Sequence, residues 1–267
     1  MSSTAAVATV LLTGASKGIG RAIAIKLAES NKYKLALLSR NLSSLKETEN
    51  LCKNINNNVK TYLLKCDVTN SFELKKCIEK CENEFGPLCI LINNAGILYK
   101  HMIDDNIDFN KIQESYDINV KAVIISCAYS LPFIKKNTSK YPNLTFAVIN
   151  IGSIVSTLRG SSTKMGIYMS TKFAVRGFTT SLFKEVRDYG IKTSLIMPGF
   201  VNTEMVNEIT HPGASNKDIR NKMIPANDVA NAVNFVLNSS SKCCPLEMLL
   251  YPQDDVMKYL VGTNSKL

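Results

Sequence analysis

The sequence predicts an α/β fold: one doubly wound domain over residues 1–267, with a seven-stranded parallel sheet and helices on both faces. Two observations carry that expectation. Seven short runs rich in Val, Ile, Leu and Tyr recur along the chain, separated by longer segments whose apolar residues return at helical spacing. The short runs are also continuously apolar, as parallel strands buried on both faces must be. A length of 267 residues with 45% hydrophobic content is enough for a substantial core.

Val7–Thr13 is the first strand. The apolar start of the chain lacks the basic n-region of a signal peptide and runs directly into a glycine turn. That turn, Thr13-Gly14-Ala15-Ser16-Lys17-Gly18-Ile19-Gly20, is followed at once by a helical pattern over Arg21–Ser30. Glycines at these places permit a tight reversal, close approach of backbone to a pyrophosphate, and close packing of helix on strand. The free N–H groups and dipole of the helix start favour the phosphates. A first strand, glycine turn and helix in this order form the dinucleotide-binding unit of a Rossmann domain.

The second strand, Lys34–Ser39, closes on Ser39-Arg40-Asn41. A site for NAD needs a carboxylate there to accept from the ribose 2′-hydroxyl. None is present. Arg40 can instead stack on adenine and pair with a 2′-phosphate, with Lys17 as a second cation, so the sequence points to NADP(H).

Beyond it, the helix Asn41–Lys53, the strand Lys60–Cys66 and the helix Ser71–Glu84 lead to a fourth strand, Leu88–Asn93. A long helix over Asn110–Lys135 precedes the fifth strand, Thr145–Ile151. Ser153 lies just past that strand, and Tyr168-Met169-Ser170-Thr171-Lys172 opens the helix Tyr168–Tyr189. Positions i and i+4 share a helix face, so Tyr168 and Lys172 point the same way. A free phenol titrates near pH ~10, poorly matched to proton transfer at neutral pH. An ammonium beside it favours the phenolate and lowers that value, while the Ser153 hydroxyl polarises the same substrate oxygen. The sixth strand, Thr193–Met197, the helix Asn227–Leu237 and the strand Glu247–Tyr251 complete the sheet. Residues 202–224 are the longest structureless excursion, the length of a substrate lid.

Taken in order, Thr13–Gly20, Asp67-Val68, Asn93-Asn94-Ala95-Gly96, Asn119 within Asp117-Ile118-Asn119-Val120, Ser153, Tyr168 with Lys172, and Pro198-Gly199 resemble the short-chain dehydrogenase/reductase family across nearly the whole chain. The resemblance implies a catalytic set of Asn119, Ser153, Tyr168 and Lys172. Tyr168 would be the acid in carbonyl reduction and the base in alcohol oxidation. Lys172 would hold the nicotinamide ribose, Ser153 would bind the substrate oxygen, and Asn119 would keep a relay water. For the cofactor it implies Gly14, Ser16, Lys17, Gly18, Ile19 and Gly20 at the phosphates and Arg40, Asp67 and Val68 around adenosine. Asn93, Asn94, Ala95 and Gly96 would lie by the ribose, and Pro198, Gly199, Val201 and Thr203 by the carboxamide, with Tyr168 and Lys172 completing the set. Ser153 and Tyr168 are fifteen positions apart, more than the family usually has, and the extra residues around Arg159–Lys164 are expected to bulge outward.

Ile154, Leu158, Met165, Tyr99, Phe200 and Met205 are expected to line an apolar, adaptable pocket for a ketone, aldehyde or alcohol. The ending Leu246–Pro252 lacks the glycine-rich close of the family's ketoacyl reductases. It is more similar to the branch that oxidises serine and other 3-hydroxy acids, or reduces small carbonyls, with NADP. The reading is therefore a carbonyl reductase, with a 3-hydroxy acid dehydrogenase, a 3-oxoacyl reductase and a non-catalytic NADP sensor as the rivals. Family members pair through the two long helices, which implies a homodimer or homotetramer.

Other classes fit poorly. The formal charge of +10 comes from lysines scattered among asparagines, with no basic block or interleaved aromatics for nucleic acid. No run of 18 apolar residues suggests a membrane span. Eight cysteines placed in strands and helices read as free thiols of a reducing, cytoplasmic compartment. Cys77 and Cys81 have metal-ligand spacing, but neither of the two histidines, His101 and His211, is near them, and no metal is expected.

Overall fold

The computed structural model describes residues 6–100, 103, 107–157, 164–205, 217–254 and 256. Seven strands form: β1 (Ala8–Thr13), β2 (Tyr33–Ser39), β3 (Lys60–Lys65), β4 (Leu88–Asn93), β5 (Ala147–Ile151), β6 (Lys192–Pro198) and β7 (Glu247–Leu250). Each boundary falls within two residues of the sequence expectation. All pairings are parallel, in the order β3-β2-β1-β4-β5-β6-β7. The central strands bury every residue, so their unbroken apolar character is the imprint of cover on both faces. Leu35, Leu37, Ile90 and Leu91 are at most 1% exposed. Truncating any one of them to Ala costs about 2–5 kcal/mol. Edge strand β3 instead exposes Lys60 and Lys65 at its ends, which discourages pairing with another chain.

The helices are α1 (Gly18–Ala28), α2 (Leu42–Ile55), α3 (Ser71–Lys80), α4 (Phe109–Tyr116), α5 (Ala122–Lys140), α6 (Gly166–Val186), α7 (Lys217–Arg220) and α8 (Ala226–Asn238). One face carries α1 against α2 and α8, and the other carries α3, α5 and α6. Asn41, Asn70 and Asp108 cap α2, α3 and α4 through their side-chain oxygens. Lys192, buried at the start of β6, donates to the carbonyls of Val236 and Ser239 and to the Ser239 hydroxyl, a cation placed where the α8 dipole ends.

Three expectations are corrected. The single helix over Asn110–Lys135 is broken by a π turn at Asp117–Lys121, which carries Asn119. The stretch 202–224 is not wholly structureless, because α7 forms within it and Val201 pairs with Ile224. The first helix begins three residues early, at Gly18, directly out of the glycine turn. Leu158, residues 159–163 of the expected insertion, His101, His211 and residues 206–216 lie outside the described residues. The helical stretch Phe109–Lys140 is apolar and long enough by composition to cross a membrane, yet α5 packs on β4 and α3 as a core helix. All eight cysteines are free.

Because β4 returns to pair with β1 and not with β3, the chain reverses direction across the sheet between β1 and β4. In doubly wound folds the crevice beyond the strands' carboxyl ends at such a switch point is where ligands bind.

Candidate active site

A cavity of about 650 Å³ opens at that place. Its wall is built from the residues that leave β1, β2, β4, β5 and β6, so one crevice receives Gly14, Ser39, Asn94, Gly152 and Pro198.

The glycine turn forms one side. Gly14 has φ +66 and Gly18 φ +53, conformations that L side chains rarely adopt. Thr13 Oγ1 accepts from the backbone N–H of Asn94 at 3.0 Å and of Ala95 at 3.1 Å. The Asn94 amide donates back to the carbonyls of Thr13 and Gly14, at 3.0 and 3.1 Å. Asn94 is thus the clasp that shapes the turn. Asn93 faces the other way, into a buried network with Asn150, Ser126 and Cys127, and does not reach the cavity. Arg21, which the sequence did not single out, grips the Ser16 carbonyl at 2.6 Å and braces it on Thr48 and Glu47. Unlike α2, α3 and α4, α1 has no side-chain cap, so its first N–H groups are open to an anion. Ser16, Lys17, Gly18 and Ile19 all face the cavity.

At the end of β2, Arg40 extends into solvent with 64% of its side chain exposed. Its guanidinium lies 3.9 Å from Asp67, whose other carboxylate oxygen is held by the backbone and hydroxyl of Thr69. Val68 follows on the cavity wall. So open an ion pair is worth under ~1 kcal/mol, leaving Arg40 free to take a better anion.

Ser153, Tyr168 and Lys172 converge at the other end, only 7%, 8% and 6% exposed. Ser153 starts a 3-10 turn after β5 and hydrogen-bonds Tyr168. Tyr168 sits in an apolar cluster with Leu98, Val155 and Met165. Lys172 Nζ donates to the Ile151 carbonyl at 3.0 Å and lies 5.6 Å from the centre of the Tyr168 ring. The expectation that the ammonium lowers the phenol is not met by the chain's own geometry. Burial pushes the Tyr168 hydroxyl up to about 12, opposed only by the Ser153 hydrogen bond. The same burial brings Lys172 down to about 8. A low-dielectric setting disfavours both charges, and desolvation outweighs their mutual attraction.

Two further placements differ from expectation. Asn119 is 1% exposed and does not line the cavity. Its amide accepts from Ile97 N at 2.8 Å and donates to Ile97 O at 2.9 Å and to Thr171 Oγ1 at 3.2 Å. Asn119 therefore buttresses the Gly96–Ile97 segment against α6, and these bonds occupy both of its polar atoms. Tyr99 also misses the cavity, since its hydroxyl donates to Glu114 at 2.8 Å.

Gly20 does not line the cavity either: it lies where α1 packs on Gly14 and Asn94, behind the turn. The remaining expected residues among those described do meet. Ala95, Gly96, Pro198, Gly199, Val201 and Thr203 line the cavity, and Thr203 would lie 3.3 Å from any Cβ on Gly18. Ile154, Met165, Phe200 and Met205 form an apolar end, joined by residues the sequence did not flag: Leu98, Val155, and Tyr251, Pro252 and Val256 beyond β7.

Comparison with known proteins agrees with this arrangement. Residues 8–213 match the family model for short chain dehydrogenase. The chain belongs to the short-chain dehydrogenase family. One relative is an NADP-dependent 3-hydroxy acid dehydrogenase of Schizosaccharomyces pombe, 31% identical over 91% of this chain and 92% of the relative. Another is a farnesol dehydrogenase of Aedes aegypti, 27% identical over 91% of this chain and 94% of its own. Among solved structures, a metagenomic short-chain oxidoreductase in complex with NADP superposes with a TM-score of 0.75 at 20% identity, covering 92% and 97% of the two chains, a likeness of fold. Membership of the short-chain dehydrogenase family makes the chain an oxidoreductase that acts on CH–OH groups.

Proposed function

We propose that this chain is an NADP(H)-dependent carbonyl reductase that interconverts an apolar ketone or aldehyde with its alcohol. One observation carries the reading: Ser153, Tyr168 and Lys172 meet, buried, on the wall of a single cavity whose opposite end is a glycine cradle beside Arg40. A Cβ on Gly14 would strike Ala95 and Asn94, and one on Gly20 would strike the Gly14 carbonyl, so the turn closes this tightly only with glycine, and the uncapped start of α1 supplies donors for phosphate. Arg40 and Lys17 supply cations where a 2′-phosphate is read, with no carboxylate following β2 to read a ribose hydroxyl. When bound, the nicotinamide supplies or accepts the hydride. Tyr168 donates the proton to the substrate oxygen in reduction and takes it back in oxidation. Ser153 holds that oxygen with a second donor where negative charge develops. Lys172 keeps a positive charge beneath both.

The substrate end is apolar, with Leu98, Ile154, Val155, Met165 and Phe200 on the wall. A 3-hydroxy acid would need a cation for its carboxylate. Among the described residues the only cavity cations are Lys17 and Arg40, which face the phosphates, and Lys172. Asp254 on the wall repels such a substrate further. We read the compartment as cytoplasmic, consistent with eight unpaired thiols. We also read the assembly as a homodimer or homotetramer, consistent with Ile124 on α5 and Phe173 on α6, each 40% exposed.

The test is purified protein followed by reduced-nicotinamide absorbance against apolar ketones and aldehydes, with oxidation of serine, 3-hydroxybutyrate and long-chain alcohols in parallel. NADPH is expected to exceed NADH in kcat/KM. Arg40→Ala removes a charged hydrogen bond to phosphate worth about 1.5–3 kcal/mol and narrows that preference about 10- to 100-fold. Better use of NADH would sink the cofactor reading. Serine or 3-hydroxybutyrate outrunning every apolar substrate would shift the assignment to the hydroxy acid branch, and NADPH binding without turnover would shift it to a sensor.

A pH dependence follows from Lys172. Tyr168 keeps its proton up to about 12, so the acid for reduction is present across the working range. Lys172 loses its charge as pH rises through about 8. Carbonyl reduction is therefore expected to decline on the alkaline side of that value in a kcat/KM profile. Lys172→Arg, which stays charged, moves the decline to higher pH even if its plateau is lower. A profile unchanged by the substitution counts against Lys172.

A further inference from the structure

Ser153 is presented by a short turn whose fixed point is not in the turn itself. Ser156 closes that turn, with its N–H and hydroxyl both donating to the Ser153 carbonyl at 3.1 and 2.7 Å. The Ser156 carbonyl in turn accepts from Arg176 Nη1 at 2.8 Å. Arg176 stands on α6 four residues after Lys172 and eight after Tyr168, so the same helix that carries the proton donor grips the turn that carries its partner hydroxyl. The two remaining faces of the guanidinium are fixed by Glu247 of β7, with Nε to Oε1 at 2.7 Å and Nη2 to Oε2 at 2.8 Å. Both side chains are about two-thirds buried, 35% and 27% exposed. The pair is therefore a bidentate fork with its third nitrogen committed, a geometry a lysine ammonium cannot reproduce.

We propose that Arg176, locked by Glu247, is a positioning residue that sets the distance between the Ser153 hydroxyl and Tyr168. It touches no reacting atom. Its effect passes through Ser156 to Ser153, and β7 enters the chemistry by holding the arginine. Without the fork, the Ser156 carbonyl loses its donor, the Glu247 carboxylate is left half-buried and unpaired, and the turn is free to shift. This role rests on the catalytic reading given above.

The test is a double-mutant cycle between Arg176→Met and Ser153→Ala in the full chain, with kcat and NADPH Kd measured for each. A displaced catalytic group costs on the order of 100-fold per ångström, so Arg176→Met is expected to lower kcat about 10- to 100-fold. NADPH affinity stays near wild type, because the cradle is untouched. In the Ser153→Ala background the same substitution changes kcat by less than about twofold, since nothing remains to be positioned. Arg176→Lys and Glu247→Gln, which keep the charge or the shape, carry the same cycle at intermediate loss if Arg176→Met folds poorly. An equal loss in both backgrounds, a parallel fall in NADPH affinity, or wild-type kcat overturns the proposal. If Tyr168→Phe retains turnover, the catalytic reading itself fails. An inactive Tyr168→Phe beside a fully active Arg176→Met overturns the positioning role alone.

Discussion

Tyr168→Phe is expected to lower kcat by about 100- to 10,000-fold, the span that a positioned general acid contributes, while NADPH binds as before. The substitution removes one oxygen and keeps the ring, so the contacts with Leu98, Val155 and Met165 persist. The lost hydroxyl takes with it a hydrogen bond to Ser153. Ser153 can re-bond locally, as its oxygen already accepts from Val155 N at 3.4 Å. Stability should therefore change little, which makes the variant a clean probe of chemistry. Burial supports the expectation, because it keeps Tyr168 protonated up to about 12 and so leaves the proton in place at working pH. Single-turnover kinetics with NADPH in excess and a fluorescence titration of NADPH separate the two readouts. A variant that binds NADPH normally and still turns over at the wild-type rate would remove Tyr168 from the mechanism.

Features carried by local pattern were legible in the sequence. The strand run Leu88–Asn93 announces itself by composition and length, because cover on both faces demands apolar residues throughout. The glycine turn was legible because its steric demands exclude other residues, and Tyr168 with Lys172 because helical spacing alone puts them on one face. Features set by three-dimensional phase were not. Whether Asn93 or Asn94 faces the crevice depends on the pleat at the end of β4, and adjacent residues there point to opposite sides. The π turn at Asp117–Lys121 leaves no change of period long enough to read. Arg21, Arg176 and Glu247 look like ordinary surface charges until the packing brings their acceptors within reach. The order of the Tyr168 and Lys172 shifts depends on depth: at the surface the ammonium would govern the phenol, and at 8% and 6% exposure desolvation does. Tyr251 and Val256 reach the cavity only because β7 lies beside β6.

Gly20→Ala is expected to cost NADPH affinity about 100-fold or more and to lower stability by about 1–3 kcal/mol, the usual penalty of overpacking. Gly20 lies within α1, and a Cβ built on it would stand 2.2 Å from the Gly14 carbonyl oxygen and 2.6 Å from the Asn94 amide nitrogen. The first of these is backbone and cannot rotate away. Either α1 must back off β1 or the turn must open, and both movements break the Asn94 bonds to Thr13 and Gly14 that shape the cradle. The loss should fall on the cofactor and not on the apolar end, because Ser153, Tyr168 and Lys172 hang from β5 and α6 on the far side of the crevice. Gly166→Ala supplies the contrast: its Cβ meets nothing within 4 Å at the exposed start of α6, so the melting temperature should hold or rise slightly. Thermal melts with and without NADPH read both effects, since a ligand that binds only the native state stabilises it by an amount that grows with the logarithm of its concentration over Kd. NADPH is held near the wild-type Kd, so that a loss of affinity of about 100-fold removes the shift. The NADPH-induced shift should vanish for Gly20→Ala and persist for Gly166→Ala. A full shift for Gly20→Ala would mean that the phosphates do not lie against this turn, and the cofactor site would have to be sought elsewhere on the sheet.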